Sequence, residues 1–141
     1  MVENTHQYLL EKGIKPSVQR LAIMDYLLCN RCHPTADEIF NSLYPSMPTL
    51  SKTTVYNTLK LFVDKGAAIS IDIDGKNARF DGYTLPHAHF MCKGCGCIHD
   101  FPLEHLSFVD SKYTEELEIT DVFIYLKGYC KQCKEELIHT I

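Results

Sequence analysis

No stretch of the chain holds the ~18–20 consecutive apolar residues that span a bilayer, which excludes a transmembrane helix. The opening Met1-Val-Glu-Asn-Thr-His-Gln-Tyr has neither the basic nor the apolar block of a signal peptide, so a cytoplasmic location without membrane attachment is expected. Catalytic signatures are missing too: there is no H-E-x-x-H and no G-x-S-x-G. A zinc deaminase pairs H-x-E with P-C-x-x-C, but here His87 is followed by Ala88 and His89, and Met91 precedes Cys92. An enzyme is therefore not expected. Nor is there an excess of positive charge: the net charge is −4, the wrong sign for a nucleic-acid binder. The deficit is local. Residues 1–83 carry nine Lys/Arg and nine Asp/Glu, whereas residues 84–141 carry five and nine, so all of the excess acidity lies in the second half.

What is present is ordinary in bulk: 45% hydrophobic and 23% charged residues describe a globular chain and exclude disorder. The cysteines are more informative. Seven is an odd number, and without an export signal they do not read as a disulfide framework. Cys92-Lys-Gly-Cys95 and Cys130-Lys-Gln-Cys133 are two C-x-x-C knuckles, enough thiolates for one tetrahedral structural zinc, with Gly94 and Gly96 allowing the tight turn. An all-thiolate zinc leaves no position for catalytic water. A thioredoxin-like reading would need a pair opening a helix after a strand, a context expected of neither knuckle. Cys29-Asn-Arg-Cys32 and Cys97 are expected to be incidental reduced thiols, the sharper alternative being a thiol switch beside His33.

The first half reads as helices followed by a ribbon. Residues 5–12 suit a short helix, and residues 17–30 a second, with Leu21, Met24, Leu27 and Leu28 at helical spacing. Thr35-Ala-Asp-Glu38 is a capping box for a third, and Ser51 an N-cap for a fourth that stops at Gly66. Residues 69–73 alternate with period two, Asp74-Gly75 suggests a hairpin turn, and residues 77–81 return. That order describes a winged helix-turn-helix over residues 1–82. Thr53, Tyr56, Asn57 and Lys60 share the face of the fourth helix opposite Val55, Leu59 and Phe62, a mixture suited to phosphates and base edges in a major groove.

Residues 83–141 read as a small α/β unit. Two short strands are expected across residues 89–101, a helix over 103–117, and a strand over 121–129 with Val122, Ile124 and Leu126 on one face. Fewer than 60 residues make a poor core alone, so zinc and dimerisation would both help. The fold class is thus α+β: an N-terminal winged helix-turn-helix, then a small α/β dimerisation domain with a four-cysteine zinc site. His33, Asp81, His87, His89 and Asp100 jointly offer three nitrogens and two carboxylates. That set is harder than the thiolates and suits iron, manganese or zinc.

Through Gln19-Arg20, His33-Pro34-Thr-Ala-Asp-Glu38, Thr54-Val-Tyr-Asn-Thr-Leu59, Arg79-Phe-Asp81, His87-x-His89 and both knuckles, the chain resembles the ferric uptake regulators over nearly its whole length. The resemblance implies a homodimer, a structural Zn²⁺ on Cys92, Cys95, Cys130 and Cys133, and a regulatory Fe²⁺ or Mn²⁺ on His33, Asp81, His87, His89 and Asp100. It also implies a minor-groove contact from Lys15 and a major-groove contact from Tyr56 on double-stranded DNA bearing an inverted-repeat operator. Asp100, where iron-uptake members generally carry Glu, and Asn57, where they often carry Arg, make it most similar to the peroxide-responsive subtype. Iron-uptake members also often hold a further metal site, and Pro86, Ala88 and Val122 stand here at its matching positions. The resemblance then implies a repressor whose iron brings about oxidation of His33 or His87. An iron-homeostasis regulator using Fe²⁺ as corepressor is the alternative; a zinc-uptake regulator or a zinc-ribbon interaction module is further off.

Overall fold

Single side chains set where several helices begin. In the computed structural model, which describes residues 4–30, 33–72, 75–84, 87–102, 115–119 and 122–139, without the side chains of His87, Pro102 and His139, α1 (Thr5–Glu11) starts where the Asn4 side chain accepts from the Gln7 amide. Ser17 caps α2 (Val18–Cys29) by accepting from the Arg20 amide. Thr35 and Glu38 form the full capping box of α3 (Ala36–Leu43), and Ser51 accepts from the Thr54 amide to start α4 (Lys52–Asp64). Each oxygen satisfies an amide that the helix cannot, worth about 1 kcal/mol per cap. Gly66, at φ 72°, ends α4 in the left-handed conformation that a side chain disfavours.

Contacts divide the chain into Met1–Thr84 and Leu85–Ile141. The core of the first unit is built from Leu9, Ile23, Met24, Leu27, Ile39, Val55, Leu59 and Phe62, all at most 1% exposed. At about 1.5–3 kcal/mol for each fully buried large side chain, this burial holds the helices together. The Tyr8 hydroxyl donates to the Ala67 carbonyl at 3.0 Å and ties α1 to the chain beyond α4. The ribbon that follows pairs β1 (Ile69–Ile71) with β2 (Arg79–Asp81) antiparallel, Ile69 opposite Asp81. Its strands are shorter than the alternation predicts: Asp72 and Gly75 to Asn77 are exposed and outside the ladder, and an isolated two-stranded ribbon has little burial to extend it. Asp74, half of the expected turn, lies outside the described residues.

In the second unit β3 (His87–Cys92) lies between β4 (Ile98–Pro102), antiparallel, and β5 (Ile124–Gly128), parallel. Most of the helix expected over 103–117 falls outside the described residues, and Glu115 and Glu116 form a turn. The last strand is shorter than the expected 121–129, and its alternation does not sort into a buried face: Leu126 is exposed beside Tyr125 and Phe123. As the outer strand of this sheet among the described residues, β5 has neighbours on one side only. A further helix, α5 (Lys131–His139), begins at the second knuckle, where the Lys134 amide donates to the Cys130 carbonyl at 2.8 Å. The expectation that neither C-x-x-C opens a helix after a strand is therefore corrected. The segment Lys131-Gln-Cys-Lys-Glu-Glu has no apolar stripe to announce a helix, and Cys133 is its one buried residue among those described. No described helix is long and apolar enough to cross a membrane.

Candidate metal centres and DNA-facing helix

The first knuckle is shaped around one sulfur. Cys92 ends β3, and its Sγ accepts from the amides of Gly94 at 3.3 Å, Cys95 at 3.5 Å and Cys130 at 3.3 Å. Gly96, at φ 76°, turns the chain so that its amide donates to the Cys92 carbonyl at 2.9 Å, and the Cys92 amide donates to the Cys97 carbonyl at 2.9 Å. The second knuckle is brought in by β5, because the Lys93 amide donates to the Gly128 carbonyl at 2.7 Å. Cys95 Sγ and Cys130 Sγ then lie 3.9 Å apart. Zinc–sulfur bonds of about 2.3 Å in a tetrahedron separate sulfurs by about 3.8 Å, so the cluster fits a zinc ion.

Five thiols share this place. The sulfurs of Cys92, Cys95, Cys97 and Cys130 all lie within 4.8 Å of one another. Cys133, on α5, is buried and its thiol interacts with those of Cys130, Cys92 and Cys95. Their proton affinities diverge. The Cys130 amide, then the Cys95 amide, hold Cys92 down to about 5 against the opposing effect of burial. The Cys97 amide chiefly lowers Cys95. The Cys95 thiol, with burial, pushes Cys97 up to about 12, and the thiols of Cys130 and Cys92 push Cys133 up. So many thiolates cannot ionise side by side without a cation, and a divalent metal would offset that repulsion.

Two His–Asp pairs stand apart from the sulfur chemistry, one in each unit. In the first, His33 Nε2 and Asp81 Oδ2 are 3.5 Å apart with both side chains 1% exposed. His33 has φ 56°, a conformation uncommon for a residue with a side chain and one that recurs at functional sites. Arg79 holds it there by donating from Nη1 to the His33 carbonyl at 3.1 Å, while the Phe80 amide donates to the Pro34 carbonyl at 2.9 Å. The Tyr83 amide donates to Asp81 Oδ1 at 2.8 Å and orients that carboxylate. In the second unit the hairpin register sets His89 directly opposite Asp100, with His89 Nε2 3.5 Å from Asp100 Oδ1. His87 is two residues before His89 on β3, and its side chain lies outside the described residues.

Helix α4 buries Val55, Thr58, Leu59 and Phe62 and exposes Thr53, Tyr56, Asn57 and Lys60. Lys15 is exposed in the loop before α2, where its carbonyl accepts from Arg20 Nη1 at 2.8 Å. Asn57 borders two grooves. One is lined by Ser17, Gln19, Arg20 and Thr54, the other by Tyr56, Lys60, Ser70 and Phe80 beside the ribbon.

The sequence pattern that describes ferric uptake regulators, under the heading "Ferric uptake regulator family", matches residues 11–127. The chain belongs to this family. It is 36% identical over 137 residues to the peroxide-responsive repressor PerR of Staphylococcus epidermidis, covering 96% of this chain and 91% of that one. Among solved structures, the Vibrio cholerae ferric uptake regulator matches with a TM-score of 0.71 at 25% identity, over 90% of this chain and 100% of that one. PerR from Streptococcus pyogenes, described as a peroxide sensor and gene regulator, matches with a TM-score of 0.53 at 31% identity, over 93% of this chain and 91% of that one.

Within this family frame, two residues gain roles that composition and spacing did not give them. Arg79 holds the His33 backbone, a function carried by its side-chain hydrogen bond across 46 residues and invisible to any local pattern. Cys97 joins the sulfur cluster because the β3–β4 hairpin folds it back onto Cys92; its position two residues after Cys95 was the available signal.

Proposed function

We propose that this family member is a dimeric, zinc-stabilised transcriptional repressor that binds operator DNA when a second metal is loaded and releases it on exposure to peroxide. The observation that carries this reading is the segregation of two donor chemistries in one chain. A sulfur cluster suits structural zinc, and two His–Asp pairs, one buried and one partly buried, suit a harder, exchangeable ion. Similarity to peroxide-responsive repressors supports the choice of signal.

In this reading Cys92, Cys95, Cys130 and Cys133 hold Zn²⁺, and His33, Asp81, His87, His89 and Asp100 hold Fe²⁺ or Mn²⁺. Neither His–Asp pair alone offers the donors that a six-coordinate ion needs, which supports assigning both to one ion. That ion would tie residues 1–82, the DNA-binding half, to residues 83–141, the dimerisation half. The exposed face of α4, with Lys15, would contact DNA: Thr53, Tyr56 and Asn57 at base edges or phosphates, Lys60 at phosphate. A dimer with two such helices needs half-sites about 34–36 Å apart, which is why an inverted-repeat operator is proposed. The exposed Phe123, Tyr125 and Leu126 of the β5 region are apolar area that a second copy would cover. Bound iron would supply the one-electron reduction of peroxide that turns this ligand set into a sensor.

The test is operator binding titrated with Mn²⁺, Fe²⁺ and Zn²⁺ separately, each with and without hydrogen peroxide. Metal-dependent binding that peroxide abolishes only with iron is expected. Binding that needs no added metal would overturn the reading. Iron-dependent binding that withstands peroxide would favour the alternative, iron as simple corepressor, to which the likeness to the Vibrio cholerae regulator points.

A further inference from the structure

The sulfurs of Cys92, Cys95, Cys97 and Cys130 form one tetrad, and Cys133, the second thiol of the second knuckle, lies beside it at Gly94. Cys97 Sγ lies within 4.8 Å of each of the other three. Cys133 reaches the same place from α5: a Cβ on Gly94 would meet both Cys133 Sγ, at 2.7 Å, and Cys92 Sγ, at 3.6 Å. We propose that Cys97 is an alternative fourth zinc ligand, so that the ion is held by Cys92, Cys95 and Cys130 together with either Cys133 or Cys97. This rests on the reading that the cluster holds zinc.

The two alternatives differ in what they fasten. Cys97 comes from the same turn as Cys92 and Cys95 and is fixed by the bond from the Cys92 amide to its carbonyl. A site closed by Cys97 uses only the β3–β4 hairpin and Cys130, which precedes α5. A site closed by Cys133 also pins α5, whose exposed face includes Leu137 and Ile138. Exchange therefore keeps the metal while freeing the helix. The exchange balances without an oxidant. The entering Cys97 loses its proton as its zinc–sulfur bond forms, and the departing Cys133 sulfur takes up a proton as its bond breaks. His99 Nε2 lies 3.3 Å from Cys97 Sγ, within hydrogen-bond reach.

The experiment compares the full-length wild type with Cys97→Ser, Cys133→Ser, the double variant and Cys92→Ser, measuring zinc per chain and its release to a chelator. Each of Cys97→Ser and Cys133→Ser should retain about one zinc per chain, while the double variant should release it at least about tenfold faster than either. Zinc lost from Cys133→Ser as completely as from Cys92→Ser overturns the exchange, as does a double variant no weaker than Cys133→Ser. A second measurement avoids folding defects. Brief alkylation of the zinc-loaded wild type should label Cys97 in some molecules and Cys133 in others, but not both in one chain. Labelling confined to Cys97 would overturn the proposal while leaving the zinc reading intact. A wild type that holds no zinc would overturn the parent reading itself.

Discussion

A methyl group on Gly94 would stand 2.7 Å from Cys133 Sγ and 2.9 Å from Cys133 Cβ. Gly94 is glycine because α5 crosses close to its Cα, and its φ imposes no such requirement, unlike that of Gly96. Gly94→Ala should therefore push Cys133 away from the other sulfurs. In the zinc-loaded protein, Cys133 should become the thiol that iodoacetamide modifies first. A Cys133 that reacts no faster than in the wild type would count against this packing.

Cys92 Sγ collects three amide donors at the centre of the sulfur cluster, so on the zinc reading Cys92→Ser should lose both zinc and dimer. Structural zinc contributes on the order of 10–16 kcal/mol of apparent binding free energy in small domains, far more than a unit of this size can supply otherwise. Metal analysis and size-exclusion chromatography check it. A zinc-free variant that stays a folded dimer would separate assembly from the metal.

Tyr56, 52% exposed on α4, has no part in the core. Tyr56→Ala should weaken specific operator binding by about 1–3 kcal/mol with fold and metal content unchanged. Lys60→Ala should weaken binding to every sequence and flatten the dependence of affinity on salt, since a phosphate contact releases counterions. Fluorescence anisotropy at several salt concentrations distinguishes the two, and unaltered affinity in both would mean that another surface reads the DNA.

Asp81 lies outside the sulfur cluster but within 3.5 Å of His33 Nε2. Asp81→Ala should keep one zinc and the dimer yet lose DNA binding stimulated by Mn²⁺. Arg79→Ala should act in the same direction but more weakly, because it loosens the His33 backbone without deleting a donor. Manganese titrations followed by gel shift test both. Full stimulation of the Asp81 variant would remove this carboxylate from the regulatory set.

With iron loaded, brief low-dose peroxide should add one oxygen to a peptide containing His33 or His87 and release the operator. Manganese-loaded protein should stay unmodified and bound, because Mn²⁺ does not readily reduce peroxide. Peptide mass spectrometry of the two loaded forms decides it. Oxidation confined to cysteines would redirect attention to Cys29 and Cys32.

Features that depend on neighbours in the chain were readable from the residues. Thr35 and Ser51 cap helices through bonds to residues three positions on, and the knuckles announce themselves because two thiols separated by two residues can meet one ion. Helix α5 was not readable, since a short polar segment has little intrinsic stability and depends on packing such as that of Cys133. Asp100 was visible as a donor, but its partner was not: the match to His89 follows from the β3–β4 register.

The amino-acid string thus specifies the kinds of donor, the capped helices and the exposed polar face of α4, all properties of short-range spacing and side-chain chemistry. Packing chose among the thiols that spacing had made available, folding Cys97 in beside the two knuckles. Packing also turned His33 into a left-handed backbone conformation under the hold of Arg79. Those choices hang on hydrogen bonds and strand pairings between residues up to 46 positions apart, whose closure depends on the whole unit being folded.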